Sequence, residues 1–220
     1  MLAAILLLFS AAAPPQAVES PPASVYRVRV AVDAPAIAVA TLGALLPYVF
    51  ASDLIHPRCP CDPSEVNALD RHVIGNHNKL LDDASDATAA VAVAAPLLLD
   101  AVDLGLSEPF LEDAAVYAET LAVNGALVSF AKYTVQRPLP RTYEGDPGLV
   151  SRPGGYRSFY SGHTSLTVAA LAASAMTLRL RRGEKVWPWI VAGLVGAMVS
   201  AERVAAGRHF YTDVAVGFVA

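Results

Sequence analysis

Glu202-Arg203-Val204-Ala205-Ala206-Gly207-Arg208-His209-Phe210-Tyr211-Thr212-Asp213 places a cation, an imidazole and a carboxylate between two apolar runs. The run before it, Val186–Ala201, reads VWPWIVAGLVGAMVSA; the run after it begins at Val214 and stops at Ala220. Polar groups of this kind at the junction of two helices sit at an end of a bundle, not in its middle. Two other clusters repeat the arrangement. Tyr160-Ser161-Gly162-His163 precedes the run Thr164–Leu178, and Lys132-Tyr-Thr-Val-Gln-Arg137-Pro138-Leu139-Pro140-Arg141 follows the run Ala114–Ala131. Further apolar runs lie at Pro35–Phe50 and Ala87–Leu99. The expected fold is all-α: a bundle of about five to six membrane-associated helices with the polar clusters gathered at one end.

Composition agrees. Apolar residues make up 55% of the 220 and charged residues 16%, against about 45–50% and 25% in average soluble domains. Val186–Ala201, with Trp187 and Trp189 as interface anchors, and Thr164–Leu178 are the better spans; Ala87–Leu99 and Ala114–Ala131 are the weaker ones. Arg179, Arg181, Arg182 and Lys185 form the densest basic cluster and predict a cytoplasmic loop, which puts His163 and Arg203 on the extracytoplasmic side. The net charge of −4 gives no overall basic footprint for nucleic acid.

Met1–Ala13, MLAAILLLFSAAA, reads as a signal peptide or an uncleaved anchor, with a linker to residue 24. The parity of crossings differs between those two readings. Residues 25–220 would form the helical domain, with a C-terminal helix that looks cut short. Val25–Val32, VYRVRVAV, alternates like a short strand. Cys59-Pro60-Cys61 is too short for an easy disulfide and lacks partners for zinc. His56, His72 and His77 read as loop or surface residues.

The chemistry of the clusters points to an anion. Lys132, Arg137 and Arg203 are cations at helix ends, suited to phosphate oxygens. Ser161-Gly162 opens a helix N-terminus, where free N–H groups favour negative charge. His209 and Asp213, four residues apart, share a face if both are helical, so a carboxylate could fix the imidazole tautomer. His163, with an ordinary pKa of about 6.5, suits proton donation to a leaving oxygen.

In this order the clusters resemble the type-2 phosphatidic acid phosphatase superfamily, which also holds bacterial class A acid phosphatases and vanadium haloperoxidases. Its motifs are Lys-x6-Arg-Pro, Pro-Ser-Gly-His and Ser-Arg-x5-His-x3-Asp. The third stands here as Glu202-Arg203-(x5)-His209-(x3)-Asp213, and the second as Tyr160-Ser161-Gly162-His163. The resemblance implies a metal-independent, cofactor-free phosphatase with His209 as nucleophile, Asp213 as its orienting partner and His163 as general acid. Lys132, Arg203 and Ser161–Gly162 would bind phosphate. The first motif departs: seven residues after Lys132 stands Leu139, and Arg137 is the expected substitute, with Arg141 second. The implied substrate is a phosphorylated lipid, beside a membrane, or a small phosphoester. Alternatives are a soluble exported acid phosphatase, a vanadate-dependent haloperoxidase and a non-catalytic membrane protein with a decayed site.

Overall fold

The computed structural model describes residues 23–220, so Met1–Ala13 lies outside the described residues. Among them every regular element is helical. Six helices carry the architecture: α1 Val30–Val49, α2 Lys79–Leu104, α3 Glu108–Val135, α4 Gly162–Arg182, α5 Trp187–Ala205 and α6 Tyr211–Val219. Single turns of helix lie in the connections.

Local chemistry sets the boundaries. Asn78 caps α2 by accepting from Leu81 N at 3.0 Å, and Ser107 and Ser161 cap α3 and α4. Helix α3 ends at Gln136, which turns left-handed at φ 50°, and Pro138 forbids continuation. The 105–107 and 183–186 connections are short, so α2–α3 and α4–α5 are antiparallel neighbours. They lie at one end of the bundle. The long connections 50–78 and 136–161 lie at the other, with the C-terminal ends of α1, α3 and α5 and the N-terminal ends of α2, α4 and α6.

Helix α4 is central and packs on α2, α3, α5 and α6, while α1 packs on α3. Small residues allow the approach. A Cβ at Gly125 of α3 would lie 3.2 Å from Ala44 Cβ of α1, and one at Gly196 of α5 would lie 2.5 Å from Val168 of α4. Four helices, α1, α2, α3 and α5, are long and apolar enough to cross a membrane. This reverses the expected ranking, in which α4 was a better span than α2 or α3. Packed among four neighbours, α4 turns Thr164, Ser165 and Thr167 into protein, where they are tolerated as buried polar residues. Helix α1 is the opposite case: none of its residues is buried, and Val39, Leu42, Leu45 and Leu46 are exposed.

Two expectations are corrected. Residues 25–29 form no strand, and α1 begins at Val30. The alternation has no neighbouring strand to pair with, and an isolated strand is not stable, so Val30 and Val32 extend the apolar helix instead. Cys59 and Cys61 are joined as a disulfide; their Cα atoms lie 4.4 Å apart, at the short end of the range such a bond tolerates. Within the basic cluster Arg179 pairs with Glu184, Arg181 with Asp113 and Arg182 with Asp103, and only Lys185 has no acidic partner among the described residues. His56, His72 and His77 are exposed, and His77 pairs with Glu144.

At the end carrying the long connections, Val66, Val73, Val204, Phe210 and Val214 form a small core, with Ile74 and Tyr143 against it. Fully burying Phe210 contributes about 1.5–3 kcal/mol. This core fastens the 63–78 segment to the α5–α6 junction, directly beneath the polar clusters.

Candidate active site

A cavity of about 550 Å³ opens at that end. Lys132 from α3, Gly162 and His163 from α4, Arg203 from α5 and His209 from the α5–α6 junction all line it, with Leu139, Arg157 and Arg208. Residues spread over nearly eighty positions thus share one hollow because three helix ends meet there.

His209 is placed by the turn before it. Gly207 adopts φ +66°, and a Cβ there would sit 2.0 Å from the Asn76 carbonyl oxygen, so only glycine lets the junction close on the 63–78 segment. The His209 side chain is 95% buried, and its Nδ1 lies 2.7 Å from the Ser158 carbonyl oxygen. A carbonyl only accepts, so Nδ1 carries the proton and Nε2 keeps its lone pair. Burial, and then the charges of Lys132 and Arg203, hold the imidazole well below its ordinary pKa, so it is neutral near neutrality.

Asp213 does not hold His209 directly. Its Oδ2 is 4.0 Å from Nδ1. The carboxylate is fully buried and accepts from Arg137 Nη1 at 2.6 Å, Ser158 Oγ at 2.5 Å and Phe210 N at 3.0 Å. It therefore holds Ser158, and Ser158's carbonyl holds the ring. The cause is a helix boundary: α6 starts at Tyr211, so His209 precedes the helix and the shared-face geometry does not apply.

The cations differ in how far they are neutralised. Arg203, 8% exposed, donates from Nη1 to Asp82 at 3.0 Å, Ser85 at 3.1 Å and Asp86 at 3.3 Å, while its buried Nε has no partner. Arg208 grips Asp82 through Nε and Nη2. Lys132 Nζ, 7% exposed as a residue, donates to the Arg157 carbonyl at 2.6 Å. Of the four basic residues that line the cavity, Arg203 and Arg208 pair with Asp82 and Asp86, while Lys132 and Arg157 have no carboxylate in ion-pair contact among the described residues. The His163 Nε2 lies 2.8 Å from Asp86 Oδ1. Burial and the Arg203 charge lower its pKa, against the opposing pull of Asp86.

Two expected phosphate ligands lie elsewhere. Arg137 does not line the cavity; it bridges Asp70 at 2.8 Å and Asp213 at 2.6 Å, with its guanidinium 4.1 Å over the Phe210 ring. The left-handed Gln136 and Pro138 turn it away from Lys132. Ser161 is fully buried, and its Oγ accepts from Thr164 N and Oγ1. Its carbonyl lies against Gly217, where a Cβ would come within 2.7 Å. What reaches the cavity is Gly162, whose amide, like that of His163, has no partner among the described residues. The sequence reading missed Asp82, Asp86, Arg157, Ser158 and Arg208. The spacing of Asp82 and Asp86, one helical turn apart just after the Asn78 cap, was a signal for a shared face.

A family model described as the PAP2 superfamily matches residues 113–220, which contain every cavity-lining residue named above. No curated protein and no solved structure matches the chain. Through residues 113–220, the chain belongs to the PAP2 superfamily.

Proposed function

We propose that this protein hydrolyses the phosphoester or diphosphate of a membrane lipid through a phosphohistidine at His209. Superfamily membership implies phosphatase activity on phosphoesters. The finer reading is carried by one observation: the Ser158 carbonyl fixes the Nδ1–H tautomer of a buried, neutral His209 beside a cavity lined by basic residues.

In the proposed reaction His209 Nε2 attacks phosphorus, and the bond to the leaving oxygen breaks as His163 donates a proton to it. Nδ1–H keeps its bond to Ser158 as the ring becomes cationic. Lys132, Arg203 and the amides of Gly162 and His163 stabilise charge on the transferred group. Water then attacks phosphorus, His163 takes back a proton, and phosphate leaves with Nε2 restored. Asp213 and Arg137 act as positioning residues through Ser158 and the α5–α6 junction.

The lipid reading rests on the cavity's apolar wall. Ala44, Leu45 and Tyr48 of α1 line it together with Val128 of α3. A chain attached to the phosphate could leave along the exposed face of α1. The four apolar helices also favour this reading over a soluble exported phosphatase. We place the site on the extracytoplasmic face, with Arg179–Lys185 and Arg27 and Arg29 together at the cytoplasmic end, where the α1 start and the 183–186 turn lie.

The test is phosphate release from a lipid phosphate, an isoprenoid diphosphate and a small soluble ester, compared with His209→Ala. The variant is expected to lose turnover on all three, with the lipid substrates preferred by the parent. Turnover retained by His209→Ala removes the nucleophile assignment; preference for the soluble ester removes the lipid.

A further inference from the structure

We propose that Arg157 is a phosphate-binding residue, held ready by two tyrosines and not by a carboxylate. This rests on the phosphatase reading of the cavity.

The argument starts from what the other cations are already doing. Arg208 is bound through two nitrogens by Asp82, Arg203 shares Asp82 and Asp86, and Arg137 is committed to Asp70 and Asp213 outside the cavity. Arg157 lines the cavity and has no acidic partner among the described residues. A half-buried guanidinium without a counter-charge is costly unless something anionic visits it. It presents five N–H donors, and one is used, from Nη1 to the Tyr133 hydroxyl at 3.1 Å.

Its position is nonetheless well defined. The guanidinium carbon lies 4.8 Å from the centroid of the Tyr48 ring, and Tyr48 meets Tyr133 edge-on at 5.6 Å. Stacking occupies the face of the guanidinium and leaves its in-plane N–H edge for a planar pair of oxygens. The tyrosines therefore orient the cation without neutralising it. The Arg157 carbonyl also accepts from Lys132 Nζ, which locks the backbone of one cation to the head of the other. Position 139, whose amide donates to the Gly155 carbonyl at 2.9 Å, contributes an uncharged leucine to the same wall. Arg157 and Lys132 are thus the two basic groups of the wall without a carboxylate in ion-pair contact among the described residues, and of the two the guanidinium keeps its charge whatever the pH. Because Tyr48 belongs to α1, the N-terminal apolar helix becomes part of the binding site.

The experiment compares Arg157→Ala and Arg157→Gln with the parent, measuring kcat, KM and competitive inhibition by inorganic phosphate. Loss of a charge-assisted pair of hydrogen bonds should raise KM and the phosphate inhibition constant together, by about 10- to 100-fold. Tyr48→Leu, which removes the stacking face but no charge, should give a smaller rise in the same two constants. Arg152→Ala, an exposed arginine five residues away, serves as the charge control and should change neither. If Arg157→Ala does not fold, Arg157→Gln keeps the stem and carries the test. A folded neutral variant at either position with parental KM and parental phosphate inhibition overturns the proposal. His209→Ala assayed in parallel separates the two readings. A dead His209→Ala beside an unaffected Arg157→Gln sinks only this inference, whereas an active His209→Ala sinks the phosphatase mechanism itself.

Discussion

The two ends of the bundle hold similar residues and opposite charge balances. At the site end, four basic residues line about 550 Å³, and only two of them, Arg203 and Arg208, are paired with Asp82 and Asp86. At the far end a cavity of about 310 Å³ lies among Asp100, Asp103, Asp113, Arg181 and Arg182, with Leu97, Leu99 and Trp187 as apolar walls. There the carboxylates outnumber the cations, so an anion is repelled. The buried pairs differ too. Arg181 is the only arginine that pairs with Asp113 among the described residues, whereas Asp82 is shared by Arg203 and Arg208. The far end ties helices together with the ion pairs Arg181–Asp113 and Arg182–Asp103. Both ends keep unpartnered polar atoms: Arg181 Nε and Asp113 Oδ1 at the far end, Arg203 Nε and the amides of Gly162 and His163 at the site end. An ion pair or an unpartnered atom near a cavity does not mark an anion site; basic groups left without a carboxylate partner do.

The sharpest way to break this contrast is to remove one arginine at each end. Arg203→Met should lower kcat by about 10²–10³-fold, as loss of a transition-state donor does. It should spare folding, because Arg208 still satisfies Asp82. Arg181→Met should do the reverse. Asp113, 4% exposed, would be left as an uncompensated buried charge at a cost of about 3–5 kcal/mol, while turnover per folded molecule stays near parental. Arg181→Met/Asp113→Leu should recover most of the loss, since a buried pair replaced by apolar groups is often neutral. The measurements are thermal unfolding in detergent and phosphate release normalised to folded protein. Equal losses of kcat from both arginines would erase the distinction.

A second pair of arginines sharpens the comparison within the site end itself. Arg137 and Arg157 both lie in the 136–161 connection, yet one holds the scaffold and the other faces the cavity. Arg137→Leu would strand Asp70 and Asp213, both fully buried, and should destabilise by about 3–5 kcal/mol. Burial pushes the Asp70 pKa up, but the bonds from Arg137 and Thr212 outweigh it and hold the carboxyl below its ordinary value. That contribution is complete above the unfolded carboxylate value of about 3.9. It is lost as pH falls through the lower folded value. Removing Arg137 should therefore bring acid unfolding on at higher pH. An Arg137→Leu variant with parental stability and a raised KM would return this residue to the cavity.

How much of this was legible in the sequence follows from geometry. Lys132, His163, Arg203 and His209 could be read because each stands at the end of an apolar run, and ends of antiparallel helices must meet. Leu139 stood out only as a departure from the family's first motif, and its place in the cavity wall came from the structure. Arg157 and Arg208 could not, because an arginine in a connection looks like any solvated cation until the path of the chain is known. Arg137 misled because its spacing from Lys132 was measured along the chain, while Gln136 and Pro138 reorient it. Asp213 misled because its spacing from His209 assumed one continuous helix, and the α6 boundary falls between them. The central helix was misjudged because apolar content reports burial, and burial in protein and burial in lipid look alike over a short run.

The smallest predicted effect concerns the proton on His163. The groups facing it are Asp86 from α2, Lys132 from α3, Arg203 from α5 and His209 from the junction. Burial and the Arg203 and Lys132 charges favour the neutral ring, and Asp86 alone favours the cation. A general acid must be protonated, so kcat should fall as pH rises through the His163 value, which lies below the ordinary 6.5. The nucleophile must be neutral, so activity is lost on the acid side only at the still lower value of His209. The working range is therefore acidic. Asp86→Asn removes the one group that supports the cation, so the high-pH limb should move further down. Asp86 is 63% exposed on its side chain, and solvent screens the pair, so the expected shift is small. The low-pH limb should stay in place, because Asp86 makes no bond to His209. A high-pH limb that moves upward, or not at all, would mean that another group donates the proton, and His163 would then be a binding residue beside Arg203.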